Sequence, residues 1–371
     1  MAVNSELSAE YNKDPEKKNL INCQGEIETM HAMILREIAQ VNEDSQPLTL
    51  AEWPDPVPGP KEILLAVTAC GVCHTELDEI EGRATPAFLP IILGHQVVGR
   101  VIAIGPEVET FSIGDRVGVA WIFSACGQCT QCTSGEENLC RQFRGTGRDA
   151  HGGYAEKMIA HAEFAYRLPD SLADHEVAPL LCAGSIGYRA FRLTKLKDAG
   201  RLGLMGFGAS GHLVLKMVRA HWPKIDVYVF SRNPAERALA HELGAVWVGD
   251  IADRPPELLD AIIDTTPVWR PIVESLGSLR PGGRLVINAI RKEEADKEAL
   301  LRLSYPEHIW MEKEIKSVAN VTRRDVIDFL KLAEAAAIRP VVREYRLEEA
   351  NRALQDLKFG KTPGAKVLRI S

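Results

Sequence analysis

The stretch RLGLMGFGASGHLVLKM, residues 201–217, indicates most about the fold of this chain. An apolar run leads into the spacing G-x-G-x-x-G, formed by Gly206, Gly208 and Gly211, and a helical pattern follows. In such a unit the first glycine permits a tight turn, the second lets the backbone approach a pyrophosphate, and the third lets the helix pack on the strand. The free N–H groups and the dipole of the helix N-terminus favour an anion. Because a second strand-like run, IDVYVF, follows at βαβ distance, we predict a dinucleotide site here.

The surrounding sequence predicts the domain organisation. Residues 186–320 alternate strand-like and helical patterns, which indicates βαβ units and a parallel sheet. Residues 30–185 contain short β-like runs separated by Gly and Pro. Residues 1–29 are polar and charged without an apolar period, so we predict a flexible extension. The fold class is therefore α/β with more than one domain.

Four closely spaced cysteines predict a metal site. The sequence CGQCTQCTSGEENLC supplies Cys126, Cys129, Cys132 and Cys140. Such spacing allows one small lobe to offer four thiolates in a tetrahedron, the ligand set of a structural zinc ion. Disulfides are disfavoured because the chain is long and shows no secretory signal, whereas an iron–sulfur cluster would use the same four thiolates. We predict zinc over both alternatives.

A second candidate ligand set is dispersed along the chain. Cys73, His95 and Cys182 lie in GVCHTE, ILGHQVVG and PLLCAGSIG. Three protein ligands leave one tetrahedral position open, as in a catalytic zinc site. Taken singly, a cysteine in an apolar run is usually a buried small side chain. Because separation in sequence says nothing about proximity in space, the residues alone leave both interpretations open.

Composition excludes several classes of function. A chain of 371 residues suggests two domains. Its net charge of −7 argues against nonspecific nucleic-acid binding, which needs basic surface. No apolar run is long enough to cross a membrane. Six of the eight cysteines would bind metal, and we expect Cys23 and Cys70 to be unreactive thiols. This usage fits a reducing compartment, so we predict a cytoplasmic protein without nucleic-acid or membrane partners.

These features occur together in a recognisable order. They are GVCHTE, LPIILGHQVVG, GDRVGV, the four-cysteine lobe, GGYAEK, APLLCAG and GFGASG. In them the chain resembles the zinc-dependent alcohol dehydrogenases of the medium-chain dehydrogenase/reductase superfamily over about residues 30–371. The resemblance implies a GroES-like β-barrel catalytic domain (30–185), a Rossmann cofactor domain (186–320) and a return of residues 321–371 to the catalytic domain. It further implies a homodimer or homotetramer.

The resemblance also assigns the metal ligands and the reaction. It implies two zinc ions per subunit, a catalytic one on Cys73, His95 and Cys182 and a structural one on the four lobe cysteines. Hydride would pass between an alcohol and NAD(P), and zinc as a Lewis acid would stabilise the alkoxide. Thr75 matches the hydroxyl of the proton relay, although it could instead cap a helix.

The chain departs from the better-known pattern at two positions. Asp78 stands where many members have the histidine that accepts the relayed proton, so either Asp78 accepts it through water or the relay ends at solvent. Gln96 replaces a common glutamate behind the zinc, which keeps the shape and removes the charge. Both changes leave the predicted metal ligands intact.

Further residues are assigned by position. His74 would face the cofactor pyrophosphate, and Glu76 would orient a metal ligand. Trp121 and Ile122 are candidate pocket walls or ordinary core residues. At the end of the second Rossmann strand the chain has Ser231 and Arg232 instead of a carboxylate. Since that carboxylate would favour NAD and an arginine suits a 2′-phosphate, we predict NADP(H) over NAD(H).

The predicted substrates are small alcohols and aldehydes, with two functional alternatives. One is another zinc enzyme of this superfamily, of the polyol or formaldehyde type. The other is a cofactor-binding protein that has lost catalysis, which the complete set of Cys73, Thr75, His95 and Cys182 argues against.

Overall fold

The computed structural model describes residues 28–360 and 364–370. Cys23 and the predicted extension up to residue 27 lie outside the described residues. The first strand begins at Thr29, one residue before the boundary predicted from the sequence.

The strands follow one another in this order: β1 (Thr29–Leu35), β2 (Leu48–Pro54), β3 (Glu62–Val72), β4 (Ile91–Ile92), β5 (Gln96–Ile104), β6 (Arg116–Val119), β7 (Ile122–Ser124), β8 (Arg144–Gly145), β9 (Lys157–His161), β10 (Ala165–Arg167), β11 (Ala199–Met205), β12 (Lys224–Phe230), β13 (Trp247–Gly249), β14 (Leu259–Asp264), β15 (Leu279–Ile287), β16 (Glu314–Ser317), β17 (Val342–Arg346) and β18 (Ala365–Arg369).

The α-helices are α1 (His74–Ile80), α2 (Thr130–Thr133), α3 (Asp174–Pro179), α4 (Ser185–Thr194), α5 (Ala209–His221), α6 (Pro234–Glu242), α7 (Arg270–Ser278), α8 (Arg323–Ala335) and α9 (Ala350–Lys358). Among the described residues, no helix has the length and apolar character needed to cross a membrane.

Six parallel strands form the sheet predicted from the strand–helix alternation. Their order is β13-β12-β11-β14-β15-β16, and adjacent pairs are all parallel. Strands β12 and β13 are added on one side of β11, and strands β14 to β16 on the other side. In open parallel sheets the crevice between β11 and β14, where the order of addition changes direction, holds the ligand. The register aligns Met205 with Phe230 and with Asp264, and Asp264 with Ile287. The loops that follow these strands therefore meet at one edge of the sheet.

The second large sheet is centred on β3. This strand pairs antiparallel with β5, β9 and β18, and β6, β10 and β17 extend the sheet. Most of β3 is buried because neighbouring elements cover it on both faces. β18 comes from the end of the described chain and places Lys366 opposite Val72, directly before Cys73.

One apolar cluster joins the two large sheets. A single cluster of buried residues includes Ala69 and Val98 from the β3 sheet, Leu204 and Val229 from the parallel sheet, and Phe329 from α8. Helix α4 begins at Ser185, where the sequence placed a domain boundary. The limits of the domains stay a prediction, while the mixed α/β architecture with a Rossmann-type parallel sheet is confirmed.

Candidate active site

Three residues that are distant in sequence meet beside the end of β3. Cys73 follows β3, His95 precedes β5, and Cys182 lies in a π-helical turn, Leu180–Gly184, that follows α3. Their sulfur atoms and a ring nitrogen lie within 4.8 Å of one another, with 3.7 Å between Cys73 Sγ and His95 Nε2. The structure thus brings the dispersed ligand set together.

A buried carboxylate orients His95. Glu76 is fully buried, its Oε1 lies 2.5 Å from Nδ1 of His95, and its Oε2 accepts a hydrogen bond of 2.9 Å from the backbone N–H of Cys73. Because a carboxylate can only accept, Nδ1 carries a proton, and Nε2 is the ring nitrogen that faces Cys73. Glu76 therefore holds His95 in the tautomer that a metal ion requires.

The donor set fits zinc. The hydrogen bond with Cys182, followed by burial, raises the pKa of Cys73. Burial lowers the pKa of His95, but the neighbouring charges of Glu76 and Cys73 outweigh it, and the net shift is upward. Two sulfur donors and one imidazole are the ligands of a catalytic zinc that keeps one position open. A divalent cation bound here would displace the protons that these groups hold.

The four lobe cysteines converge in the same way. Their sulfur atoms lie within 4.8 Å of one another. Cys132 Sγ is 3.6 Å from Cys129 Sγ and 3.9 Å from Cys126 Sγ, far beyond the roughly 2.05 Å of a disulfide. The backbone N–H groups of Gln128 and Cys129 lower the pKa of Cys126 to about 6. They favour the thiolate, which is the form that binds a metal.

Two side chains link this lobe to the start of α8. Glu137 Oε1 accepts hydrogen bonds from the backbone N–H (2.7 Å) and Nε (3.2 Å) of Arg323. Asn138 Nδ2 donates to the carbonyl oxygen of Ala319 at 2.6 Å. The lobe is therefore hydrogen-bonded to the segment that leads from the parallel sheet into α8.

The glycine-rich turn follows β11 as the sequence suggested. Gly206 has φ +86°, and a Cβ on it would lie 2.8 Å from Thr265 Oγ1. A Cβ on Gly211 would lie 2.8 Å from the carbonyl oxygen of Gly206. A Cβ on Gly208, the residue just before α5, would have no atom within 4 Å. This open space at a helix N-terminus fits a pyrophosphate.

Comparison with known proteins identifies the family. Residues 59–170 match the family described as alcohol dehydrogenase GroES-like domain. The chain is 43% identical over 332 residues to the probable alcohol dehydrogenase AdhA of Mycobacterium tuberculosis. This alignment covers 88% of this chain and 94% of that protein. It is 30% identical to an alcohol dehydrogenase of Geobacillus stearothermophilus, over 90% of this chain and 98% of that protein. The solved structure of a cinnamyl alcohol dehydrogenase of Sorghum bicolor is 26% identical in sequence and superimposes with a TM-score of 0.78. The match covers 92% of this chain and 98% of that one.

The chain belongs to the alcohol dehydrogenase family. The predicted resemblance, the GroES-like and Rossmann-type fold class and the oxidoreduction of alcohols and carbonyl compounds are thereby confirmed.

Helix α1 of this alcohol dehydrogenase carries the predicted relay residue. Thr75 is half-buried, and its backbone N–H donates to Cys73 Sγ at 3.4 Å. Cys73 occupies the N-cap position, and Glu76 completes the capping box. The alternative interpretation, in which Thr75 caps the helix, is therefore wrong, because Thr75 lies inside the first turn.

Asp78 lies in a setting that the sequence did not suggest. Its side chain is 7% exposed, and Oδ1 accepts hydrogen bonds from Arg83 Nε (2.6 Å) and Arg291 Nε (3.0 Å). Two guanidinium groups therefore bind the Asp78 carboxylate directly. Both predicted ends of the relay, Asp78 and solvent, stay predictions.

A second cation accompanies His74 at the predicted pyrophosphate end. Desolvation lowers the pKa of His74, Asp78 and Glu76 act in the opposite direction, and the charge of Lys366 lowers it further. Lys366 is buried in β18, beside the end of β3. Sequence reasoning missed Lys366 because only the pairing of β18 with β3 brings it to this end of the site.

A carboxylate lies at the end of β12, where we predicted the choice between NAD and NADP to be made. Ser231 Oγ donates to Glu236 Oε2 at 2.5 Å, and Arg237 donates to the backbone oxygen of Ser231 at 2.6 Å. Arg232 is exposed beside them. The expectation that no carboxylate lies here was wrong, because the first turn of α6 folds Glu236 back onto Ser231.

The remaining predicted residues divide between site and core. The Trp121 ring lies edge-on to the His95 ring, with 6.4 Å between centroids, which fits a wall of the site. Ile122 is buried in β7 and belongs to the core. Gln96 packs against Gly71, where a Cβ would lie 2.6 Å from Gln96 Oε1. Burial raises the pKa of Cys70, in agreement with an unreactive thiol.

A buried carboxyl near the metal site was also missed. Glu79 is fully buried on α1, and neither side-chain oxygen has a hydrogen-bond partner within the described residues. Burial and the charge of Glu76 raise its pKa well above the ordinary value. The neutral form of Glu79 therefore persists to higher pH than that of an ordinary glutamate.

Proposed function

We propose that this enzyme is a zinc-dependent dehydrogenase that interconverts small alcohols with aldehydes or ketones and that uses NADP(H) in preference to NAD(H). The observation that carries the proposal is the convergence of Cys73, His95 and Cys182, with His95 oriented by Glu76. When bound, zinc supplies Lewis acidity at the alcohol oxygen and the nicotinamide exchanges the hydride. The protein binds, orients and shields these groups.

The proposed relay begins at Thr75. Thr75 is the second residue of α1 and its backbone N–H contacts Cys73 Sγ. Its hydroxyl would accept the alcohol proton. We propose that the proton then reaches solvent rather than Asp78, whose carboxylate two guanidinium groups already occupy. The chain's own contribution is thus a single positioned hydroxyl.

A second zinc ion in the four-cysteine lobe would be structural. All four ligand positions are sulfur, so no position remains for substrate. The contacts of Glu137 and Asn138 with Arg323 and Ala319 transmit the order of the lobe to α8. We infer that loss of this metal lowers stability before it lowers the rate of chemistry.

The proposed NADP(H) preference depends on the balance of charges at the end of β12. Arg232 and Arg237 offer two guanidinium groups there, and such groups suit a phosphate. Glu236 opposes them, because its carboxylate would repel a 2′-phosphate. Asp250 also pairs with Arg237, at 3.6 Å. We place the net preference with NADP(H), since the Arg232 guanidinium is exposed at this strand end and suits a 2′-phosphate.

Homo-oligomer formation is proposed from the outer edge of the parallel sheet. β16 ends the sheet, and all four of its residues are exposed. Leu301, Tyr305 and Trp310, shortly before it, are large exposed apolar residues. An exposed edge strand beside apolar surface is a template for a second chain. We infer a homodimer or homotetramer in a reducing, cytoplasmic setting that keeps the ligand thiols reduced.

Metal analysis combined with turnover tests the proposal. Protein purified without chelators should contain close to two zinc ions per chain and should oxidise short alcohols with NADP faster than with NAD. Alkylation mapped by mass spectrometry should spare Cys73 and Cys182 in the loaded enzyme and modify them after chelation. One zinc per chain with Cys182 readily alkylated would refute the catalytic site, and a preference for NAD would refute the cofactor assignment.

A further inference from the structure

The loop after β15 contains two neighbouring cations, Arg291 and Lys292. One binds helix α1 and the other binds the parallel sheet. Arg291 Nε donates to Asp78 Oδ1 of helix α1 at 3.0 Å. Lys292 Nζ donates to the Asp264 carboxylate at the end of β14 and to the carbonyl oxygen of Thr266 at 2.6 Å. The loop is therefore held between the metal-site helix and the parallel sheet.

The sheet side of this loop is firmly anchored. The Lys292 and Asp264 side chains are both buried, so water screens their attraction weakly. At the two ends of the loop, the N–H of Asn288 donates to the Asp264 carbonyl oxygen and that of Glu293 to the Pro267 carbonyl oxygen, both at 2.7 Å. Arg291 thus projects from a loop that has little freedom to move.

The partner of Arg291 is equally well held. Asp78 Oδ1 also accepts from Arg83 Nε at 2.6 Å, and Arg83 in turn pairs with Glu81. Glu81 is buried and accepts from Lys358 as well. The Asp78 carboxylate therefore faces Arg291 from a fixed position.

The pair lies across the cofactor crevice. His74, which we predicted to face the pyrophosphate, lies one helical turn before Asp78 and so shares its face of α1. On the other side, the Arg291 loop leaves the carboxyl end of β15, beside β14, where ligands of such sheets bind.

We propose that the Asp78–Arg291 pair is a clasp that closes α1 against the β15 loop over the dinucleotide, so that cofactor entry and release both require the pair to open. The clasp rests on the proposed dinucleotide site. Asp78 and Arg291 are positioning residues on this account, and neither takes part in hydride or proton transfer. Opening the pair exposes two charges to water and leaves the anchored loop in place.

The expected effect is moderate. The Asp78 side chain is 7% exposed and that of Arg291 33%, so the pair is better shielded than an ordinary surface pair. Removing it should raise both the association and the dissociation rate constants of the dinucleotide by roughly two- to tenfold. The dissociation constant should change less than about twofold, because both rates rise together.

Stopped-flow fluorescence of NADPH and NADH with the zinc-loaded enzyme tests the clasp. Arg291→Gln should accelerate both binding and release, and Arg291→Lys should restore slower rates by returning the charge. Salt should accelerate release less in Arg291→Gln than in the wild type. The control Arg280→Gln breaks an ion pair to Asp260 within the sheet, of 2.5 Å, and should leave both rate constants unchanged.

A double-mutant cycle separates the clasp from direct cofactor contact. Asp78→Asn should reproduce the rates of Arg291→Gln, and the double variant should add nothing. A rise in release alone, with additive effects of the two substitutions, would show that Arg291 binds the dinucleotide itself and would overturn the clasp. Unchanged rates in Arg291→Gln would also overturn it. A wild type that binds neither dinucleotide would refute the proposed function as well.

Discussion

Glu76 is the residue whose change should affect the metal site most selectively. Glu76→Gln keeps the shape of the side chain and removes its charge. The carboxylate now serves two donors, Nδ1–H of His95 at 2.5 Å and the N–H of Cys73 at 2.9 Å. A glutamine has one acceptor oxygen, so its NH₂ group must face one of these donors.

The size of the effect follows from this loss. One charge-assisted hydrogen bond disappears and one buried donor stays unsatisfied, at a cost of about 1.5–3 kcal/mol. Glu76 has no exposed surface, so water does not compensate. Because the lost contacts orient a metal ligand, zinc affinity at the Cys73–His95–Cys182 site should fall roughly 10- to 100-fold.

Competition with a zinc chelator measures this affinity. Alkylation of Cys73 and Cys182 reports whether the zinc has been lost from their site rather than from the four-cysteine lobe. Glu79→Gln is the matched control, because Glu79 is equally buried on the same helix and its raised pKa already favours the neutral form. Its zinc affinity should stay within about threefold of the wild type, since no contact to a metal ligand changes. Wild-type affinity in Glu76→Gln, or equal losses in both variants, would contradict the orienting role.

Four further predictions concern other parts of the molecule. Cys129→Ser should lower the melting temperature or cause aggregation, measured by calorimetry, because a four-thiolate site contributes to folding; full stability with lost turnover would reverse the two metal assignments. Thr75→Ala should lower turnover by roughly 10²- to 10⁴-fold with zinc content unchanged, while Thr75→Ser keeps most activity; near-normal turnover in the alanine variant would show another proton route. Arg232→Ala should lower kcat/KM for NADP more than for NAD, and Glu236→Gln should raise the NADP/NAD ratio; equal changes with both cofactors would indicate adenine stacking. The raised pKa of Glu79 means that the folded protein keeps a proton above pH 4.5, the ordinary value, where the unfolded protein has lost it, so stability falls as the pH rises from there. Denaturation at pH 5 and pH 8 should therefore show the free energy of unfolding of Glu79→Gln increasing relative to that of the wild type between the two pH values. A difference that does not depend on pH would contradict this reasoning.

Features encoded by local spacing could be predicted from the sequence. The four lobe cysteines and the glycines after β11 are close together in the chain, so their geometry follows from a few turns of backbone. The alternation of strands and helices likewise predicted the parallel sheet. For Cys73, His95 and Cys182 the residues alone left two interpretations open, and only the family pattern brought them together.

Features that depend on pairing between distant segments could not be predicted. Lys366 reaches His74 through the register of β18 with β3, and Arg291 reaches Asp78 across the crevice. Glu236 was missed for a local reason, since the helical turn after β12 returns it to Ser231. Sequence patterns identify ligand types well, whereas ion-pair partners depend on the three-dimensional arrangement.

The pairing of β18 with β3 has a consequence for biosynthesis. Lys366 lies opposite Val72, the residue directly before Cys73. A ribosome makes β3 long before β18, so the strand that presents Cys73 lacks one neighbour for most of translation. We expect the nascent chain to form the cysteine lobe early and the Cys73 site last. Stalled nascent chains of increasing length can be treated with a thiol-labelling reagent. Cys129 should become unreactive toward this reagent at a much shorter chain length than Cys73.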